Sequence, residues 1–161
     1  MIVSNFVSLY KGDVTQGGKD GKEVSELSLV SALKIRLDAS KEEVKAAKCA
    51  IRCQEGYRTL GDVTITFGGS TSNFWKVCAD NNYENAETAK QLGNWSTKLV
   101  IPEETIIRDS NYVFWVKAGC SANETPQDDD SVYIDVDGVV VNEEDYNLYL
   151  EELAEEQGTE P

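Results

Sequence analysis

"DSNYVFWVKAGCS", residues 109 to 121, is the stretch on which the fold turns. Read with a period of two, Tyr112, Phe114, Val116 and Ala118 share one face and Val113, Trp115 and Lys117 the other, because successive side chains of a strand point to opposite sides of its sheet. A strand with one face in water carries apolar groups on the other face alone. Here both faces begin apolar, the pattern of a central strand covered on both sides. Two covers fit Trp115: its own chain, the tail helix among the candidates, or a neighbouring subunit.

The flanking segments repeat the alternation. In "STKLVIPEETIIRD" Leu99 and Ile101 share a face and Pro102 ends the ladder, since proline has no N–H to donate. In "LGDVTITFGGSTS" Val63, Ile65 and Phe67 alternate with Thr64 and Thr66 between Gly61 and the Gly68-Gly69 pair, and in "NFWKVCAD" Trp75, Val77 and Ala79 line up. Between them "DNNYENAETAKQLGN" reads as a long polar loop, the kind of segment that carries recognition on sandwich scaffolds.

The segment "SKEEVKAAKCAIRCQEG" supports two readings. Ser40 with Glu43 resembles a capping box and Gly56 a helix stop. Against that, Ala47, Cys49, Ile51 and Cys53 alternate with Lys48, Ala50, Arg52 and Gln54; a loop over 38–45 followed by a strand is preferred. Toward the amino terminus, residues 2–10 are rich in apolar and aromatic side chains, "KGDVTQGGKDGKE" is rich in turn formers, and Leu33, Ile35 and Leu37 then alternate with Lys34 and Arg36. After the turn "NETPQDDDSV", Val132, Ile134 and Val136 oppose Tyr133, Asp135 and Asp137 in a last strand. From Asn142 the pattern changes period: acids crowd the first turn and Tyr146, Tyr149, Leu150 and Leu153 fall at helical spacing.

The expectation is an all-β fold, an Ig-like antiparallel β-sandwich of about seven to nine strands followed by an acidic α-helix. Residues 1–31 would supply amino-terminal strands and a loop leading into it, 32–141 the sandwich, and 142–161 the helix. In Ig-like sandwiches a tyrosine near the start of a late strand ties its hydroxyl back to the preceding corner. Asp109, Ser110, Asn111 and Tyr112 have the matching order.

Composition narrows the function classes. The 161 residues carry 15 Lys and Arg against 29 Asp and Glu, a net charge of −14, which disfavours a phosphate-tracking surface and hence nucleic acid. No apolar run is long enough to cross a bilayer, the acidic tail does not suit an anionic membrane, and "MIVSNFVSLYKGD" has no basic leader or cleavage site; the chain is expected to be made in the cytoplasm without a signal peptide. With no histidine, the Ser-His and Cys-His nucleophile arrangements and HExxH metal sites are closed, and the chain is expected not to be an enzyme.

The acids cluster in turns and in the tail rather than as a placed pair. Cys49, Cys53, Cys78 and Cys120, spaced by 4, 25 and 42 residues, match no zinc motif and read as small buried groups kept reduced. Asp128, Asp129, Asp130, Asp135 and Asp137 could offer oxygens to calcium, but an EF-hand count would put Tyr133 at its first ligand position; they read as a solvated turn. No cofactor is expected.

"KCAIRCQEGYRTLGDVTITFGG", "FWKVCADNN" and "NYVFWVKAGCSANETPQDDDSV" resemble segments of small Ig-like structural proteins of tailed-phage and prophage genomes. The resemblance spans roughly residues 33 to 136; the acidic tail and the cysteines lie outside the shared phrasing. It implies a virion protein, a capsid decoration or tail-associated component, with other virion proteins as partners or a homo-oligomer as the working form. For such assembly the candidate contact residues are Trp115, Tyr146, Tyr149, Leu150 and Leu153, apolar groups at a possible subunit contact. The alternative is a binding module for a carbohydrate or host receptor, with Tyr83 and Trp95 as stacking platforms.

Overall fold

The structure is a computed structural model that describes residues 7–23, 44–69, 74–119 and 133–158. The strand expected over residues 33–37, the Asp128–Asp130 turn and Cys120 lie outside these residues. Eight strands and two helices are described: β1 Val7–Lys11, β2 Lys22–Glu23, β3 Val44–Cys53, β4 Tyr57–Gly68, β5 Trp75–Ala79, α1 Ala86–Leu92, β6 Leu99–Ile101, β7 Tyr112–Gly119, β8 Tyr133–Asn142 and α2 Glu143–Gly158.

They form two antiparallel sheets, a five-stranded one in the order β2-β1-β3-β7-β5 and a three-stranded one in the order β6-β4-β8. After β3 each described strand lies in the opposite sheet from the described strand before it. The chain thereby encloses one layer of side chains. Cys49, Ile51, Cys53, Trp75, Val77, Phe114, Val116 and Ala118 enter it from the larger sheet, and Val63, Ile65, Ile101, Ile134 and Val136 from the smaller. These are the faces that the alternation specifies, so the antiparallel sandwich with a carboxy-terminal helix is as expected. Burial of these side chains, each worth roughly 1.5–3 kcal/mol for the larger aliphatics, is the main term holding the sheets together.

β7 is central, paired with β3 from Val44↔Gly119 to Ile51↔Tyr112 and with β5 from Trp75↔Ala118 to Ala79↔Phe114. Its second face is covered by its own chain in two places. Val113 packs with Val14, Ala50 and Tyr10, and Trp115 with Cys78, Ala89, Tyr83 and Trp95.

The corner before β7 is tied by Asn111, 2% exposed, where a tyrosine hydroxyl was expected. Its side-chain amide donates to the Asp20 carboxylate at 2.8 Å and to the Thr15 carbonyl at 3.2 Å, and its oxygen accepts from Arg52 at 2.7 Å. Its backbone exchanges hydrogen bonds with Gly17 and Gly18. This buried amide clamps the loop 12–21 over the larger sheet, with every polar group answered. Tyr112 is half-buried against the core instead.

Two glycines serve the smaller sheet. The β4–β8 register slips between Leu60 and Thr64, a bulge at which Gly61 takes φ +78°. Across it a Cβ on Gly138 would come within 3.1 Å of the Val63 side chain.

Candidate interaction site

The residues expected to carry function fall in two regions that relate to the sandwich in opposite ways. One is the outer face of the larger sheet beneath α1. The segment 80–94, expected as a loop, contains this helix. The Asn85 side chain accepts from the Thr88 N–H at 2.9 Å, Glu87 lies in the first turn, and the Gly93 N–H donates back to the Ala89 carbonyl at 2.8 Å. Seven residues make a helix too short to persist alone. What holds α1 is Ala89, fully buried on Trp115 and Cys78.

Trp115 is 3% exposed and its indole N–H donates to Asp80 Oδ1 at 2.9 Å. The cover over it is α1, not the tail helix, and it leaves almost none of the ring's surface exposed. Trp95 donates its indole N–H to the Ala89 and Lys90 carbonyls at 3.1 and 3.2 Å, closing the end of α1. Tyr83 meets Trp115 edge-on with ring centroids 6.5 Å apart. Both rings expected as ligand platforms are thus half-buried and engaged in holding α1, and the Lys117 ammonium lies 4.8 Å from the Trp95 ring centroid.

The other region is α2, which follows β8 without a linker. Asn142 accepts from the Asp145 N–H at 3.0 Å, and Glu143, Glu144 and Asp145 meet the positive end of the helix dipole. The helix is anchored by its first turn. The Glu143 N–H donates to the Gly56 carbonyl at 2.9 Å, and the Glu143 carboxylate accepts from Arg108 at 2.8 Å. Arg58 lies over the Tyr146 ring at 5.2 Å. The side-chain hydrogen bond from Arg108 holds the Glu143 carboxyl below its usual value.

Beyond that turn the helix projects. Leu148, Tyr149 and Leu150 are 51%, 54% and 43% exposed, while Tyr146 and Leu153 are half-buried. Tyr146, Tyr149, Leu150 and Leu153 lie on one side of α2 at i, i+3, i+4 and i+7, as their spacing requires. The helix contains no Lys or Arg. Where it leaves the sheet, Gly56, Asn142, Glu144, Asn147, Leu148 and Glu151 line an open crook of about 450 Å³.

The three described thiols, Cys49, Cys53 and Cys78, are buried. Burial pushes Cys49 up to about 12, and Cys53 and Cys78 up to about 11, so at neutral pH they are protonated and behave as apolar filling. The Cys53 thiol donates to the Ile107 carbonyl at 3.3 Å. Of the aspartates considered for calcium, Asp135 is half-buried and Asp137 exposed, both on β8 opposite Thr66 and Thr64.

The pairings that sequence reading did not supply are Trp115 with Asp80, Trp95 with Lys117, and Glu143 with Arg108. Their partners are 35, 22 and 35 residues apart in sequence, so only the sheet order brings them together. The cap signals of α1 were present in sequence as Asn85, Glu87 and Gly93.

No family model matches the chain, and no curated protein does. Among solved structures, a family 123 glycoside hydrolase from Clostridium perfringens is similar over 82% of this chain at 11% identity, with a TM-score of 0.32. The chain spans 26% of that enzyme's length. A likeness this slight says nothing about activity.

Proposed function

We propose that the chain is a non-enzymatic structural component of a bacteriophage virion, decorating the capsid or associated with the tail, and that it acts by protein–protein assembly through α2. The observation that carries the assembly reading is the state of that helix. It leaves the sandwich after one anchored turn and presents Tyr149 and Leu150 to solvent on a segment with seven acids and no base. An isolated helix of this length is marginal in water, and an apolar stripe on a projecting helix is the form in which helices enter a partner's groove. The virion assignment rests on the phrase-level resemblance to phage Ig-like proteins. The rival role for Tyr83 and Trp95 as glycan platforms is not adopted, because both rings already hold α1.

The test is the composition of particles from the virus or prophage that encodes the chain. The protein should be found in purified virions by mass spectrometry, and the Tyr149→Ala/Leu150→Glu variant should stay folded and soluble but be missing from them. Virions without the wild-type chain would overturn the reading.

A further inference from the structure

The acids of α2 are not spread evenly around its apolar stripe. Successive residues of a helix are turned by about 100°. Beside Tyr149, on the side away from Leu150, this places Asp145 one way along the axis and Glu152 the other, with Glu156 a turn further on. All three are exposed. The opposite border of the stripe, beside Leu150, is formed by Asn147 and Ala154, and the acid on that side, Glu143, is held by Arg108. Glu144, Glu151 and Glu155 lie on the back of the helix, the first two with Leu148 around the open crook. The stripe is therefore charged along one border and neutral along the other.

Charge selects the occupant. The sandwich cations Arg108 and Arg58 reach α2 at its first turn, on Glu143 and over Tyr146. A second copy laid on the stripe would set one acidic helix without a base against another, in a chain of net charge −14. An anionic surface is repelled in the same way. A partner of opposite sign is attracted, and it meets that attraction on the Tyr149 side of the stripe.

We infer that α2 docks on a protein whose apolar groove carries Lys or Arg along one lip, with Tyr149 and Leu150 entering the groove and Asp145 and Glu152 facing the basic lip. The other lip, beside Asn147 and Ala154, needs no charge. Because the charge is one-sided, it also sets the direction of the helix. Turned end for end in the same groove, α2 would carry its acids to the neutral lip and leave the basic one unanswered. This rests on α2 being the docking element and names the chemistry of what it docks to.

Fluorescence anisotropy tests it, with the full chain and a labelled amphipathic peptide that has leucines on one face and lysines along its border. The same peptide with glutamate for lysine is the control. At about 150 mM salt, charges are screened beyond about 8 Å, less than the width of a helix at about 10–12 Å, so an acid on the back of α2 acts weakly on a peptide at its front. The lysine peptide should bind and the glutamate peptide should not, and Tyr149→Ala/Leu150→Glu should abolish binding. Asp145→Asn/Glu152→Gln should weaken it roughly fivefold, the loss of two exposed ion pairs. Glu144→Gln/Glu155→Gln removes the same charge from the back and should change it by less than about twofold. Each pair takes one acid from the first turn, so the effect on the helix itself is matched. The inference falls if the two acid pairs weaken binding alike, if Asp145→Asn/Glu152→Gln leaves it unchanged, or if the lysine peptide does not bind. An oligomer in sedimentation velocity that Tyr149→Ala/Leu150→Glu dissolves would seat a second copy on the stripe and overturn it as well. Loss of Tyr149→Ala/Leu150→Glu from particles is measured apart from all of these, so the docking role of α2 and the chemistry of its partner fail separately.

Discussion

The two helices of this protein invert the usual relation between length and security. α1 has 7 residues and α2 has 16, yet the short helix is the one bound into the fold. α1 presents a fully buried alanine to a buried tryptophan and is closed by a second indole. Among the described residues α2 is anchored at its start by a backbone bond, an ion pair and a cation–ring contact. Helical stability in proteins comes from the face that is docked rather than from the number of turns. A helix with its face filled serves the scaffold, and one whose face is left open is available to a partner.

The strongest way to break that contrast is to remove the floor beneath α1. Trp115→Ala deletes the buried ring and leaves Asp80 without its donor. A loss of about 3–5 kcal/mol is expected, the range for large aromatic truncations in a core, read as a lower urea midpoint, with α1 amides losing their exchange protection together with β5 and β7. A cost below about 1 kcal/mol would mean that α1 and its floor contribute little, and the contrast would fail. A smaller intrusion tests the same packing. Gly93 has an ordinary φ, but a Cβ there would lie 2.6 Å from the Ala89 carbonyl, 2.7 Å from Trp95 Nε1 and 2.9 Å from the Cys78 sulfur. Gly93→Ala should therefore cost about 1–3 kcal/mol by overpacking, whereas Ala154→Gly on exposed α2 should leave the urea midpoint of the sandwich in place.

The caps offer a matched pair. Asn85 and Asn142 make the same kind of bond, accepting from a backbone N–H three residues on, and replacing such a cap by alanine costs about 1 kcal/mol of helix stability. In α1 that loss should appear in the global unfolding curve, because the helix unfolds with the sandwich. In α2 it should appear only as faster amide exchange over 143–158, with the unfolding midpoint unchanged. Equal effects of Asn85→Ala and Asn142→Ala on global stability would show that α2 is part of the cooperative unit.

The parts of this fold that were legible in sequence are those in which one residue's side is set by its immediate neighbours. Ala47 through Cys53, Val63 through Phe67 and Tyr112 through Ala118 alternate because one side meets the layer between the sheets, and their faces could be assigned before any pairing was known. α1 was not legible as a helix because its apolar residues are Ala86, Ala89 and an exposed Leu92, too small a stripe to outweigh its polar residues, although its caps were in place. The cover over Trp115 was not legible either. A tryptophan on the outer face of a central strand is equally consistent with a helix from its own chain and with a neighbour, and the choice is made by Ala89, twenty-six residues away. The candidate contact residues Tyr146, Tyr149, Leu150 and Leu153 could be found from spacing alone. The placing of Lys76 across from Lys117 could not, since those residues meet only through the pairing of β5 with β7.

The subtlest test of the contrast is a titration of the anchor of α2. Glu143 is paired with Arg108 in the folded chain, and that hydrogen bond lowers its pKa from the ordinary glutamate value of 4.5. A carboxyl whose folded pKa lies below its unfolded one adds stability that is fully present above the unfolded value and is lost as pH falls through the folded value. The anchor should therefore hold at neutral pH and release under acid conditions below the usual carboxylate range, loosening the first turn of α2 while the sandwich and α1 keep their protection. Proton-detected titration of the Glu143 side chain should give a midpoint that rises toward 4.5 in Arg108→Gln, with the acid release of residues 143–147 moving to higher pH in step. If the midpoint does not move, the ion pair is not what fixes the helix, and the backbone bond to Gly56 with the Arg58–Tyr146 contact must carry the attachment instead.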